Sequence, residues 1–155
     1  MAYVSDVRTG TGTLIDFNAA LPATLDLPGF QALTSWIEFH EYEELPEFGA
    51  TNQTAERTPL RSGVTQRIPT GVDYGTITLG FGKTRNDPGQ VFLAERREDR
   101  APFSIRMTFP DGEILYQTAT CSAFTRGAPQ GFLAGTATIN LNSEEVLDEV
   151  AAPAA

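Results

Sequence analysis

The stretch FSIRMTFPDGEILYQTATCSAF, residues 103–124, reads as two β-strands and the turn between them. Phe103, Ile105, Met107 and Phe109 alternate with Ser104, Arg106 and Thr108, the period of two that puts one side of a strand in a core and the other outside. Pro110-Asp111-Gly112 is turn chemistry, and Ile114 to Phe124 continues as a long second strand. Its small residues Ala119, Cys121 and Ala123 share one parity, which predicts close approach of another sheet or a helix on that side.

Working outward, the same period recurs. Residues 74–82 place Ile77, Leu79 and Phe81 opposite Thr76, Thr78 and Gly80, and residues 132–142 place Leu133, Gly135, Ala137, Ile139 and Leu141 opposite Thr136, Thr138, Asn140 and Asn142. Residues 12–17, 35–42 and the short stretch 64–68 complete about seven strands. One helix is predicted. Asp87 is its N-cap, Pro88 its first residue, Gln90 is placed to reach back, and Pro102 bars continuation. Val91, Leu93, Ala94 and Phe92 are expected on the sheet side, with Glu95, Arg96, Glu98, Asp99 and Arg100 in water. The fold class is therefore mainly β, an antiparallel β-sandwich or barrel with one flanking α-helix. Residues 43–63 show no period and carry Pro46, Gly49, Pro59 and Gly63, so they are expected as a long loop, and loops of that length usually have a task such as binding a partner. The organisation is residues 1–33 as an N-terminal arm and first strand, 34–142 as the sandwich, and 143–155 as an acidic, Ala/Pro-rich tail that is frayed or used as an arm.

The chain has 155 residues, enough for one domain with a real core, and its net charge of -9 argues against tight binding to phosphate backbones. Charge is uneven. Residues 9–56 hold eight acids and no Lys or Arg, residues 57–126 have a net +3, and residues 127–155 have a net -4. An acidic first third beside a basic middle suits a protein that stacks on copies of itself, and solvated faces give the same pattern. One cysteine, Cys121, and one histidine, His40, exclude an internal disulfide and a single-chain Cys/His zinc site, so no metal or cofactor is expected. With no signal-like N-terminus and no apolar run long enough to span a bilayer, the chain is expected in a reducing cytoplasm, away from membranes.

No catalytic motif stands up. Gly82-Lys83-Thr84 lies between a strand and a helix, but position 77, where a phosphate-binding loop needs its first glycine, is Ile77. His40, Glu41, Glu43 and Glu44 read as a solvated strand end rather than as an acid/base pair, which needs one desolvated carboxylate. No G-x-S-x-G elbow occurs, and Cys121 is most simply core. Arg96, Arg97, Arg100 and Arg106 are interleaved with Glu95, Glu98 and Asp99, which suits a helix-face network or an acidic neighbour better than nucleic acid. Trp36, Phe39, Tyr42 and Phe48 suggest an aromatic platform for sugars, except that Trp36 and Phe39 fall on opposite parities.

The order of these parts resembles the tail tube (major tail) protein family of long non-contractile, lambda-like phage tails. The segments that carry the likeness are Trp36 to Glu38, the loop ending Thr58 to Gly63, the strand Thr76 to Phe81, the helix start Asp87 to Gln90, the run Phe103 to Gly112, and the final strand Thr136 to Leu141, covering about residues 34 to 142. The resemblance implies a non-enzymatic virion subunit, assembled in the host cytoplasm. Such subunits stack as hexameric rings into a tube, meet tape-measure and tail terminator or tip proteins, and let double-stranded DNA pass without specific binding. It also implies that the loop 43–63 orders against the next ring, so Glu43, Glu44, Glu47, Phe48, Arg57 and Arg61 are candidate inter-subunit residues; Arg96, Arg97 and Arg100 stay, from their interleaving with acids, candidate helix-face contacts. A carboxylate-rich bore would repel phosphates and permit sliding. Pairing of 35–42 with 64–68, and of 102–109 with 113–124, is expected to form the lumen sheet, with Glu38, His40, Ser104, Arg106 and Thr108 facing the channel and Glu38 neutralising Arg106. The alternatives are a tail terminator or head-tail joining ring, a carbohydrate- or protein-binding β-sandwich module using Trp36 and Tyr42, and a small hydrolase using Glu41 or Glu43.

Overall fold

A computed structural model describes residues 12–40, 42–128 and 131–149. The expectations for Glu41, the first part of the N-terminal arm and the end of the tail lie outside these residues.

The hairpin of residues 103–124 forms as read. Strand β7, Phe103–Thr108, pairs antiparallel with β8, Glu113–Gly127, from Phe103 opposite Ala119 to Thr108 opposite Ile114. The turn is closed by Phe109 donating its N–H to the Glu113 carbonyl (2.9 Å) and by the Asp111 carboxylate accepting from the Glu113 N–H (3.0 Å). Gly112 has φ 98°, a conformation that favours glycine. Around this pair β1 (Leu14–Asn18), β2 (Ile37–Phe39), β3 (Tyr42–Glu44), β6 (Thr76–Gly82) and β9 (Ala134–Leu141) complete one antiparallel sheet in the order β2-β1-β7-β8-β9-β6-β3. The outermost strands of this path, β2 and β3, are neighbours in the chain, separated only by residues 40 and 41. The sheet is therefore curled into a half-barrel, and the Phe39 ring meets Tyr42 (5.9 Å between centroids) and Phe81 (5.7 Å) where its two ends approach.

Helix α2, Pro88–Asp99, fills the curl. Asp87 caps it by accepting from Gly89 N–H (3.0 Å), and the same carboxylate accepts from His40 N–H (3.1 Å), so one buried side chain both starts the helix and holds the β2–β3 junction. A Cβ on Gly89 would come within 2.6 Å of Phe39 Cα, so only glycine permits this approach. Gln90 does reach back, accepting from Thr84 N–H (3.1 Å) and donating to the Gly82 carbonyl (2.8 Å). Phe92 and Leu93 enter the core, while Val91 is half exposed, contrary to expectation, because the buried face is made by Gly89, Gln90, Phe92 and Leu93 and Val91 lies on the opposite side of the helix. In the core Phe17 stacks on Phe92 (5.7 Å) and meets Phe39 and Phe103 edge-on, the arrangements that aromatic quadrupoles favour. Cys121 is buried beside Ala119 in this core, and desolvation pushes its thiol pKa up.

Four expectations are corrected. Residues 37–39 pair with β1, not with 64–68: Ile15 opposite Phe39 and Phe17 opposite Ile37 join apolar residues at the core, whereas Val64 and Ile68 lie exposed on a hairpin that pairs residues 66–73 with 51–57. The long loop 43–63 is partly strand. β3 takes its first residues, and β4 (Thr51–Arg57) pairs with β5 (Gln66–Asp73) as a separate two-stranded hairpin. The acidic tail supplies β10 (Val146–Glu149), which continues the path of β9 along β8, with Val146 opposite Tyr116. Between them Ser143 is held by Thr118 N–H donating to its Oγ (2.9 Å) and Gln117 Nε2 donating to its carbonyl (3.1 Å). A second helix, α1 (Leu27–Gln31), is capped by Asp26, whose carboxyl pKa is held down by the Thr24 hydroxyl and the Gly29 N–H.

Candidate assembly surfaces

The β4–β5 hairpin is exposed at every strand position on both faces. A two-stranded hairpin with no buried face is marginal by itself in water, so such an element is completed by whatever it lies against. Its register puts Ile68 opposite Ala55 on one face and Val72 opposite Asn52 on the other, and both apolar side chains are open to solvent, as are Leu60 and Val64 at the tip. Arg67 Nε donates to Glu56 Oε1 (2.9 Å) across the strands, an exposed pair worth little. Arg57 and Arg61 are exposed on the hairpin. Glu43 and Glu47 are exposed at its approach, and Glu44 stands opposite Gly80 in the β3–β6 register. Phe48 is different: it is half-buried and packs on the chain's own core, because the stretch before the hairpin runs back against β6. It is therefore not a free contact residue.

The predicted lumen face divides. Asp16, Arg106 and Tyr116 lie in register across β1, β7 and β8, with Glu38 opposite Asp16 on the far side. Arg106 donates to Asp16 Oδ2 through Nη2 (2.7 Å) and Nε (3.0 Å), so it is Asp16, and not Glu38, that neutralises it; β1 lies between them. Trp36 covers the guanidinium, with the ring centroid 4.5 Å from Cζ, and Phe30 stacks on Tyr116 (5.4 Å). Desolvation there pushes the Tyr116 phenol up. Ser104 is fully buried and donates to the Ala20 carbonyl (2.8 Å), while Asn18 Nδ2 donates to the Thr34 carbonyl (2.7 Å). The segment 19–36 thus roofs this side of β1, β7 and β8. Ser104 and Arg106 are withdrawn as channel-facing residues, and Thr108 is half-buried on the same side. Glu38 and His40 remain exposed at the sheet edge and approach each other at 3.3 Å.

The uncovered sheet face is elsewhere. Thr76, Thr78 and Gly80 stand opposite Asn140, Thr138 and Thr136, and these in turn stand opposite Thr120, Ala123 and Thr125 of β8. Across these three strands the outward positions carry hydroxyl, amide and small side chains and no charge. Period-two reading supplied the Thr residues, but not their alignment into one surface, which needs the register.

On α2, Arg96 pairs with Asp99 (3.2 Å) and lies over the Phe92 ring (5.2 Å), whereas Arg97 and Arg100 are exposed. Sequence reasoning missed Arg85 and Arg126, whose only signal was the net positive middle region, and weighed Lys83 only as the end of a phosphate-binding loop; the fold brings all three to the same helix. Among the described residues no group of His, Cys, Asp or Glu is placed to hold a metal ion, and no helix is long and apolar enough to cross a membrane.

No protein-family model matches the chain, and no curated protein matches it in sequence. Solved structures do share its fold. They include the SPP1 tail tube (TM-score 0.63, 12% identity, 92% of this chain and 80% of that one), and the tail of an empty GTA particle (0.64, 14%, 94% and 100%). A sheath/tube terminator of the extracellular contractile injection system PVC is also similar (0.59, 10%, 94% and 99%). At these identities the likeness establishes the fold: a curled antiparallel sheet with a helix packed in it.

Proposed function

We propose that this protein is the repeating structural subunit of a phage-type tail tube, stacking as hexameric rings into a conduit for double-stranded DNA. It has no catalytic role in this reading. The observation that carries the proposal is the β4–β5 hairpin, which is open on both faces and exposes Leu60, Val64, Ile68 and Val72 while standing outside the core of its own subunit. Seating it on the next ring would bury these side chains and complete an element that lacks a packed face. The fold it shares with tail tube proteins supports the same reading.

Passage of DNA is supported by what the sheet does not present. The outward face of β6, β9 and β8 offers no guanidinium or ammonium to hold phosphates, and the net charge of -9 disfavours retention of a polyanion. Glu38 and His40 at the β2 edge stay as bore-facing candidates. The subunit would be assembled in the host cytoplasm, reside in the virion tail, and meet tape-measure, terminator and tip proteins at the tube's interior and ends. A second reading, a terminator forming one ring, is favoured by the likeness to the injection-system terminator. Negative-stain microscopy of purified protein separates them: long hollow tubes support the tube subunit, isolated rings the terminator, and monomers at high concentration neither.

A further inference from the structure

Six of the eleven Lys and Arg residues of this acidic chain, namely Lys83, Arg85, Arg96, Arg97, Arg100 and Arg126, lie along α2 and the segments beside it. Arg96 is engaged with Asp99. The other five have no ion-pair partner among the described residues. They border two adjoining hollows between α2 and β8. One, of about 330 Å³, is lined by Lys83, Arg85 and Arg126 over an apolar floor that includes Phe124; the other, of about 460 Å³, is lined by Arg97 and Arg100 with Thr120 and Ser122. Glu98 borders both, and Glu95 only the first, so cations outnumber carboxylates. Arg126 is held over the Phe124 ring at 5.3 Å, which fixes one charge at the lip of the hollow.

The complement lies on the same chain. Residues 9–56 contain eight acids and no Lys or Arg. Asp16 is engaged with Arg106, Asp26 with its helix cap, Glu38 with His40 and Glu56 with Arg67, whereas Glu43 on β3 and Glu47 at the approach to the hairpin are exposed. Two unlike, complementary surfaces on one subunit define a head-to-tail contact, the kind that closes into rings. Resting on the tube reading, we infer that the basic strip between α2 and β8 receives the exposed carboxylates of Glu43 and Glu47 of a second copy. This is a lateral contact, separate from the one assigned to the hairpin. It involves solvent-facing charges, so it weakens as ionic strength rises.

Two charge-reversed variants test it. One carries Arg97→Glu and Arg126→Glu; the other carries Glu43→Lys and Glu47→Lys. All four positions are exposed, so both variants keep the wild-type circular dichroism and melting profile. Each alone has like charges on both surfaces, and its assembly concentration, read by sedimentation and microscopy, rises more than tenfold. In a 1:1 mixture the variants alternate, every contact again joins opposite charges, and assembly returns to within about twofold of wild type. Wild-type assemblies with either variant unimpaired, or with a mixture as defective as its components, overturn this contact alone. A wild-type chain that stays monomeric overturns the tube reading and the contact together.

Discussion

Replacing residues 51–73 by a short Gly-Ser linker separates what the hairpin does for its own subunit from what it does for a neighbour. Both strands are exposed throughout, none of their residues belongs to the core, and the roots are already together, since a Cβ on Gly75 would lie 2.7 Å from the Gly49 carbonyl oxygen. Removal therefore exposes little apolar surface in the remaining subunit. Shortening the connection about fivefold lowers the cost of closing it by about 1.4 kcal/mol. The net change in unfolding free energy is predicted to lie within about 1 kcal/mol of zero or on the stabilising side, a shift in Tm of about 2–4 °C at most. Assembly should be lost altogether. Urea unfolding followed by Trp36 fluorescence, together with sedimentation, reads both quantities. A variant that still forms tubes refutes the stacking role. A variant destabilised by about 3 kcal/mol or more refutes the claim that the hairpin is independent of the subunit core.

Other outcomes follow from the packing. Asp16→Ala leaves the roofed Arg106 guanidinium without its carboxylate and should cost about 2–4 kcal/mol in urea unfolding, whereas adding Arg106→Met should recover a large part of that loss. Asp87→Ala removes the acceptor for Gly89 and His40 N–H together, with an expected loss of about 2–3 kcal/mol in the same assay. The pH dependence has a definite sign. Burial raises the pKa of Cys121 above its ordinary 9.0 and those of Tyr42 and Tyr116 above 10.0, so the folded state keeps protons that the unfolded chain releases. The stability they contribute is fully present below those ordinary values and is lost as pH rises through the raised ones. Thermal melts from pH 8 to 11 should show this loss, and Cys121→Ala should remove the thiol's share of it.

Much of this architecture is legible in the chain because its signals are local. The alternation of Phe103, Ile105 and Met107, the turn at Pro110 to Gly112, and the Asp87-Pro88 helix start each act within a few residues, and each forms as read. The β4–β5 hairpin is illegible for a physical reason. Period two appears when one face of a strand is buried, and TNQTAER (residues 51–57) has no buried face, so nothing in its pattern separates it from a loop. The roof over Arg106 is hidden differently. Asp16 and Arg106 are ninety positions apart, and their pairing depends on β1 inserting between β2 and β7, a long-range choice that leaves no local trace. Placing Ser104 and Arg106 toward a channel failed because parity says which residues share a face, not what covers it. The basic strip is of the same kind, since Lys83, Arg85 and Arg126 meet Arg97 only once β8 is laid along α2.

A helical reconstruction of the purified, polymerised protein is the most direct measurement of whether one chain builds the conduit. The account predicts six subunits per ring, residues 51–73 of each clasped by the adjoining ring, and a central channel free of projecting arginines. Filaments without a channel, or a tube in which that hairpin stands free in solvent, would contradict it.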